Sequence, residues 1–294
     1  MSERANEPEN AADSFEPHRP LLTGLAYRML GSIAEAEDVV QEAYLRWHDV
    51  ERSAVDNPRA YLSRTVTRLC LDYLKSARVR REQYIGTWLP EPLLDIPAAE
   101  RQADAEDLAA DVSMALMVAL QRLSPLERAA FLLHDVFNLD FKSIADALGR
   151  DEAACRQLAS RAREHVRAAR PRFKPAAADV ERLANAFMQA AGSHDVAALT
   201  RLLREDAVMH ADGGGKVKSA LNPIAGRDKI IRFLLARVPP ASEVQIRPAS
   251  VNGTPGFIVD SRDGRRDVIT FDVQDGVLAG IFVVSNPDKL WHVK

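Results

Sequence analysis

Side chains able to read DNA bases repeat along one face of a helix predicted from about Glu152 to beyond Val166. They are Arg156, Gln157, Ser160, Arg161, Arg163 and Arg167. In the major groove an arginine can bond to guanine through two donors and a glutamine can pair with adenine, while further arginines reach phosphates. Apolar residues recur at helical spacing on the other face, namely Cys155, Leu158, Ala162 and Val166. The pattern predicts a DNA-reading helix, and the alternative is an ordinary bundle helix with a solvated basic face.

Two helices that precede this one predict how it is positioned. Ser124-Pro125-Leu126-Glu127 forms a capping box with proline at the first helical position. A short helix follows from Phe141 to Leu148, and Gly149 lets the chain leave it because glycine tolerates positive φ. Two helices joined by a tight turn, the second rich in arginine and glutamine, indicate a helix-turn-helix.

A second basic helix is predicted from Asn57-Pro58 to about Glu82. Its basic residues suit a phosphate backbone and are Arg64, Arg68, Lys75, Arg78, Arg80 and Arg81. Three nearby aromatics either stack on unpaired bases or belong to the core, and we favour the core for Trp47, Tyr61 and Tyr73.

Candidates for enzyme or metal chemistry are few. His210 and Asp212 fall on the same side of a predicted strand, where a cavity could pair them as a base and its orienting group. The glycines at 213–215 lack the strand-to-helix context and the Lys-Ser/Thr ending of a phosphate loop. Cys70 and Cys155 read as buried apolar residues. We therefore predict no catalytic residues, no metal site and no cofactor.

The net charge of −3 excludes a uniformly basic nucleic-acid coat, so DNA binding has to rest on local patches. The apolar fraction of 47% is typical of a globular protein, and 294 residues suffice for two or three domains. Neither a membrane-spanning apolar run nor a signal peptide is evident, which predicts a cytoplasmic protein without membrane contact.

The remaining N-terminal part of the chain alternates helices with polar segments. Residues 1–14 are predicted to be a disordered tail, followed by helices from His18 to Leu30 and from the Ser32 cap to Asp49. An acidic, proline-containing linker is predicted at 83–107, and a helix is expected to resume at Leu108.

These segments resemble regions two and four of bacterial sigma factors, in particular the compact extracytoplasmic-function subgroup. The resemblance rests on AEAEDVVQEAYLRW, on NPRAYLSRTVTRLCLDYLKSARVRR, on the acidic linker and on LSPLERAAFLLHDVFNLDFKSIADAL with the basic helix after it. It places region two at 15–82 and region four at 108–173, and it implies core RNA polymerase and promoter DNA as partners.

Residue by residue, the resemblance implies three contact sets. Asp38, Gln41 and Glu42 would face the polymerase clamp helices. The basic residues from Arg64 through Arg81 would approach the melted minus-ten element, although many family members have asparagine where Arg68 stands. Arg156, Gln157, Ser160 and Arg161, with Arg163 beside them, would read the minus-thirty-five element.

The last third, 176–294, predicts an α+β fold with three helices and then a strand meander. The predicted helices are Ala176–Ala191, His194–Leu203 and Asp228–Val238, and the strands are Glu205–Ala211, Glu243–Val251, Gly256–Asp260, Arg266–Val273 and Val277–Val284. Asn-Gly and Asp-Gly pairs separate the last four strands. The pattern resembles the SnoaL-like branch of the nuclear-transport-factor-like fold, a cone with a curved sheet.

Three short motifs resemble those of a sigma group that carries such a tail as a fused regulator. They are Trp88-Leu89-Pro90-Glu91-Pro92, Asp212-Gly213-Gly214-Gly215-Lys216 and Asn286-Pro287-Asp288-Lys289-Leu290. The resemblance implies regulatory contacts among them, and the tail could also take a small-molecule ligand. The overall prediction is a non-enzymatic, multidomain sigma factor with two all-α modules and an α+β tail. The alternatives are a helix-turn-helix repressor with a ligand-sensing tail and an enzyme fused to a DNA-binding module.

Overall fold

The computed structural model describes residues 11–51, 54–94, 112–169, 175–238 and 243–293, with the side chains of 77–82 and 168–169 left out. The chain divides into two units, one of Met1–Arg78 with Leu120–His165 and one of Val79–Ala119 with Val166–Lys294. Within the ranges described, no helix is long and apolar enough to span a membrane.

The N-terminal half of the first unit is a helical bundle. Its helices are α1 (Ala11–Phe15), α2 (Arg19–Leu30), α3 (Ile33–His48) and α4 (Pro58–Glu82). Ser32 caps α3 by accepting from the Glu35 amide at 3.3 Å, and Asn57 accepts from the Ala60 amide at 3.0 Å, as the capping signals predict.

The predicted disordered tail is too long at its C-terminal end, because residues 11–14 belong to α1. Phe15 is fully buried with its ring 5.2 Å from Tyr44, and the Ser14 hydroxyl accepts from Trp47 Nε1 at 3.0 Å. Residues 1–10 lie outside the described residues. Trp47, at 1% exposure, is a core residue, as favoured from the sequence.

The C-terminal half of this unit contains the predicted helix-turn-helix. Its helices are α5 (Met114–Gln121), which starts in the second unit, then α6 (Pro125–Phe131), α7 (Phe141–Leu148) and α8 (Glu152–Ala169). The Ser124–Glu127 capping box is present, and Gly149 ends α7 with a φ of 62°. The prediction of a helix from Leu108 is wrong for Val112 and Ser113, which precede α5, and 108–111 lie outside the described residues.

A π-helical segment at Leu132–Val136, which sequence periodicity does not reveal, prolongs α6. The Phe137 amide donates to the Leu132 carbonyl at 3.0 Å, the wider spacing of a π turn.

The second unit is built around a six-stranded sheet in the order β2-β1-β6-β5-β4-β3. The strands are β1 (Leu203–Asp212), β2 (Ile224–Ala225), β3 (Val244–Val251), β4 (Thr254–Ser261), β5 (Arg266–Gln274) and β6 (Val277–Val284). The β1–β6 pair is parallel and the other pairs are antiparallel. The short β2 was not predicted, while positive φ angles at Asn252-Gly253 and Asp275-Gly276 confirm two of the predicted turns.

Helices cover one face of this sheet. They are α9 (Ala177–Gly192), α10 (Val196–Leu202) and α11 (Arg227–Arg237), and their core includes Phe187, Ile230 and Phe271. The opposite face packs Phe282 and Val284 against Leu89 of the predicted linker and Leu290 near the C-terminus. The α+β fold class is confirmed, and the sheet has two different apolar faces.

Candidate nucleic-acid interface and linker contact

The outer face of α8 carries the predicted base-reading residues. Arg156, Gln157, Ser160 and Arg161 are all exposed. Asp151 caps the helix by accepting from the Ala154 amide at 2.7 Å, which fixes where the helix begins. The buried residues Cys155, Ala159 and Ala162 hold the opposite face in the core.

Neighbouring groups orient two of the α8 arginines. The Arg156 guanidinium lies 5.3 Å from the Phe141 ring centre and donates to Glu152 at 2.5 Å. Arg163 donates to Asp135 at 2.6 Å and is only partly exposed, so it is less available to DNA than the sequence implies.

The three basic side chains of α4 that the structure describes each contact a neighbouring group of the protein. Arg64 lies against the Tyr61 ring at 5.2 Å, and Lys75 pairs with Asp72 at 2.8 Å on the surface. Arg68 donates to the backbone carbonyls of Asp146 at 2.5 Å and Ala147 at 3.0 Å, in the last turn of α7. The side chains of Arg78, Arg80 and Arg81 lie outside the described residues.

Buried arginines join the two halves of this unit, and sequence reasoning missed them. Arg28 on α2 is 2% exposed, and burial lowers the pKa of its guanidinium to about 10. It lies 5.9 Å from the Phe137 ring centre. Arg128 on α6 donates to the Met29 carbonyl. The apolar neighbours of Arg28 along α2 were the only available signal, and they do not distinguish a buried arginine from an exposed one.

The predicted polymerase-facing residues share an exposed face of α3. Asp38, Gln41 and Glu42 are exposed, and Glu42 pairs with Arg46 at 2.9 Å. Leu45, one turn beyond Gln41, is 53% exposed on the same face.

A buried carboxylate joins the three predicted regulatory motifs in the second unit. Asp212 is fully buried and accepts from the Tyr84 hydroxyl at 2.6 Å, the Leu89 amide at 2.8 Å and the Gly214 amide at 3.0 Å. Lys289 donates to the same carboxylate at 2.7 Å and also to the Leu89 carbonyl. We call these five residues the Asp212 network.

Aromatic rings surround the lysine of this network. The Lys289 ammonium lies 4.0 Å from the Trp88 ring centre and 5.0 Å from that of Tyr84, within range of cation–π attraction. Asn286 donates to the Tyr84 hydroxyl at 2.8 Å. Burial, followed by the hydrogen bond to Asp212, raises the pKa of Tyr84, so this hydroxyl remains a donor.

The predicted linker is partly an ordered segment of this unit. Leu89, Pro90, Glu91 and Pro92 are buried. Leu94 forms a β-bridge with Val251, and the His292 ring and the Pro92 carbonyl are 2.8 Å apart. Residues 84–93 contain neither helix nor strand, as expected of a linker, but they are packed against this unit, while 95–107 lie outside the described residues.

The remaining regulatory residues lie around this segment. Gly213 is buried, Gly214 lies against the Asn286 side chain and Gly215 lies near Ile85. Lys216 pairs with Asp288 at 2.5 Å on the surface. Pro287 begins the short 3₁₀ turn Pro287–Lys289, and Leu290 is buried after it.

Comparison with known proteins identifies the family. Residues 15–80 match Sigma-70 region 2, and residues 113–166 match Sigma-70, region 4. The chain is 39% identical over 287 residues to the ECF RNA polymerase sigma factor SigJ of Mycobacterium tuberculosis, covering 94% of this chain and 91% of that protein. It belongs to the ECF sigma factors.

A further relative and a solved structure match nearly the whole of this sigma factor. A probable ECF RNA polymerase sigma factor of M. tuberculosis, SigI, is 32% identical over 291 residues and covers 97% of this chain and 96% of that protein. The crystal structure of M. tuberculosis SigJ superposes with a TM-score of 0.77 at 36% identity and covers 95% and 98% of the two chains. The C-terminal unit of this sigma factor thus has a counterpart in SigJ.

Within the described residues, the cavity of the C-terminal unit is lined by Met209 and Ala211 of β1 and not by the suggested pair His210 and Asp212. The two residues share one face of β1, as predicted, but it is the face that packs on the linker segment. His210 stacks on Phe282 with ring centres 5.5 Å apart, and Asp212 is engaged in its network. Sigma factors are non-enzymatic initiation factors, and in the described structure His210 and Asp212 have stacking and ion-pair partners.

Proposed function

We propose that this ECF sigma factor directs core RNA polymerase to promoters and reads the minus-thirty-five element with α8. The exposed Arg156, Gln157, Ser160 and Arg161 on one helix face carry this proposal. Their donors suit base edges and phosphates of the major groove, while the buried opposite face keeps the helix rigid.

The minus-ten element is proposed to contact α4 through Arg64, Arg68 and Lys75, with Arg78, Arg80 and Arg81 beyond them. The polymerase is proposed to dock on α3 at Asp38, Gln41 and Glu42. The exposure of these three side chains along one side of α3 supports this docking surface.

DNA binding at both elements requires the first unit to open. The two elements lie about 25 base pairs apart, which is about 85 Å of B-form DNA at 3.4 Å per base pair. Arg68 contacts Ala147, and the chain from Ala147 to Arg156 spans at most about 32 Å when fully extended. We infer that the Arg68–α7 contact belongs to a closed form and is broken on the promoter.

The C-terminal unit is proposed to regulate the protein by holding residues 84–94, which follow the last helix of region two. The Asp212 network supports this role because it ties the segment to two distant motifs through a buried charge pair. The apolar cavity of the same unit supports a small-molecule ligand as an additional partner.

Run-off transcription with purified core polymerase tests the sigma activity. Gln157→Ala should reduce the discrimination between bases in the minus-thirty-five element by about 1–3 kcal/mol. Lys75→Ala should instead weaken binding to all promoters alike. It should also reduce the slope of log affinity against log salt concentration by about one unit. A uniform loss with Gln157→Ala would contradict base reading by α8.

The regulatory role is tested in the same assay with Lys289→Met and Lys216→Met. Lys289 holds the linker segment and Lys216 holds only the surface residue Asp288. Output should change for the first variant and not for the second. Equal output from both variants would refute linker control.

A further inference from the structure

A large cavity lies between the helices and the sheet of the C-terminal unit. Its volume is about 990 Å³, at the upper end of the range for sites that enclose small molecules. Phe187, Met209, Phe233 and Ile281 contribute to a predominantly apolar wall. Such a wall favours a ligand with several fused rings or a long hydrocarbon part.

One end of the cavity carries a buried hydroxyl without a protein partner. Ser285 lines the cavity at 2% exposure, and its Oγ makes no hydrogen bond within the part of the chain described. Its amide donates to the Asp212 carbonyl at 2.8 Å, which fixes the residue in place. Leaving a buried hydroxyl without a hydrogen-bond partner is unfavourable, so a polar ligand atom that bonds to Ser285 would stabilise this site.

A carboxylate lies beside this hydroxyl. Val268 pairs with Val284 in the antiparallel register, which puts Asp267 next to Ser285 on the cavity face. Asp267 is 9% exposed and accepts from Arg265 Nε at 2.9 Å. Because the Arg265 guanidinium pairs with this carboxylate, Asp267 offers acceptor oxygens whose charge is already compensated.

We propose that the cavity binds a neutral, largely apolar molecule that bears one hydroxyl group. The ligand hydroxyl accepts from Ser285 Oγ and donates to Asp267, while the apolar part lies along the wall of Phe187 and Ile281. A carbonyl alone would satisfy Ser285 but would meet the Asp267 carboxylate with a second acceptor, so a hydroxyl fits better.

This site borders the linker contact, and its regulatory meaning rests on the proposed function above. Ser285 is followed directly by Asn286, which donates to the Tyr84 hydroxyl at 2.8 Å. The cavity is also lined by Lys216 and Val217, which continue the glycine motif. The cavity lining is therefore continuous in sequence with Asn286 and with the glycine motif that begins at Asp212.

The test uses the full chain without polymerase or DNA, titrated with 1-hydroxypyrene and 1-methylpyrene and followed by probe fluorescence. We expect one saturable site and about fivefold tighter binding of the hydroxylated probe. Ser285→Ala should abolish this preference. Thr270→Val is the matched control, because Thr270 has an equally buried, unpartnered hydroxyl but alternates to the other sheet face.

Absence of saturable binding, as expected if only water occupies the cavity, would overturn the proposal. So would equal affinity for both probes, or a hydroxyl preference that Thr270→Val removes and Ser285→Ala keeps. Hydrogen exchange of residues 84–94 with and without 1-hydroxypyrene then tests whether ligand binding affects the linker segment. An unchanged exchange rate would overturn this coupling between the cavity and the linker. The probe titration does not involve transcription. Its outcome is therefore independent of whether the proposed sigma activity or the proposed linker control proves wrong.

Discussion

Replacing Lys289 by methionine should release the linker segment from the C-terminal sheet. Methionine keeps most of the apolar stem but removes the charge that compensates Asp212. The side chains of Lys289 and Asp212 are 7% and 0% exposed, and their charged atoms are 2.7 Å apart. Removing one partner of a buried pair costs about 3–5 kcal/mol, because the remaining charge stays desolvated.

The chain offers a matched control in Lys216→Met. Lys216 and Asp288 are 2.5 Å apart, but their side chains are 53% and 62% exposed. Solvent screening reduces such a pair to about 0.2–1 kcal/mol. The two pairs have nearly the same separation, so burial accounts for the expected difference.

Hydrogen exchange of the Leu89 amide, which donates to Asp212 at 2.8 Å, measures the effect locally. At 1.36 kcal/mol per factor of ten, Lys289→Met should accelerate its exchange by about 10²- to 10⁴-fold. Lys216→Met should change it by less than about fivefold. Adding Asp212→Asn to Lys289→Met should recover part of the loss, because the unpaired charge is gone. Similar exchange rates of the Leu89 amide in the two lysine variants would refute the argument that Lys289 and Asp212 form a desolvated ion pair.

Three further predictions concern other parts of the molecule. Gly214→Ala should lower the Tm more than Gly276→Ala, because both have positive φ but only the first new Cβ would overlap the Asn286 side chain. Burial raises the pKa of Asp272, so the charged form of this side chain destabilises the folded state. Asp272→Asn should therefore raise the Tm at neutral pH. This gain in Tm should shrink as the pH is lowered, because the wild-type carboxyl becomes protonated. Arg68→Ala should increase the open population of the first unit about fivefold, for a surface contact of about 1 kcal/mol, seen as a larger radius of gyration. Equal Tm losses in the two glycine variants would contradict the first argument, and a gain in Tm for Asp272→Asn that does not change with pH would contradict the second. An unchanged radius of gyration for Arg68→Ala would contradict the third.

Local signals in the sequence sufficed for most elements. The capping boxes at Ser32 and Ser124, the proline at the start of α4 and the Asn252-Gly253 turn are encoded within a few residues, because caps and turns depend on adjacent backbone groups. The exposed face of α8 followed from helical periodicity in the same way.

Contacts between distant residues could not be read from local patterns. Tyr84 and Asp212 are 128 residues apart, and Leu89 and Lys289 are 200 apart, so only the folded sheet shows that they share one buried site. The three motifs were recognised as a set from family resemblance, but their common carboxylate was not.

The sequence by itself determined most of the helices and strands, because periodicity and capping act over short distances, and resemblance to the family identified the two sigma regions and the three motifs. Tertiary structure decided what the charged residues do. It placed the Arg68 guanidinium on the last carbonyls of α7, put Arg28 in the core, and made the buried Asp212 carboxylate an acceptor for the linker segment. The burial of a charged side chain and the identity of its hydrogen-bond partners depend on which distant parts of the chain pack together. Local sequence patterns do not encode this long-range packing.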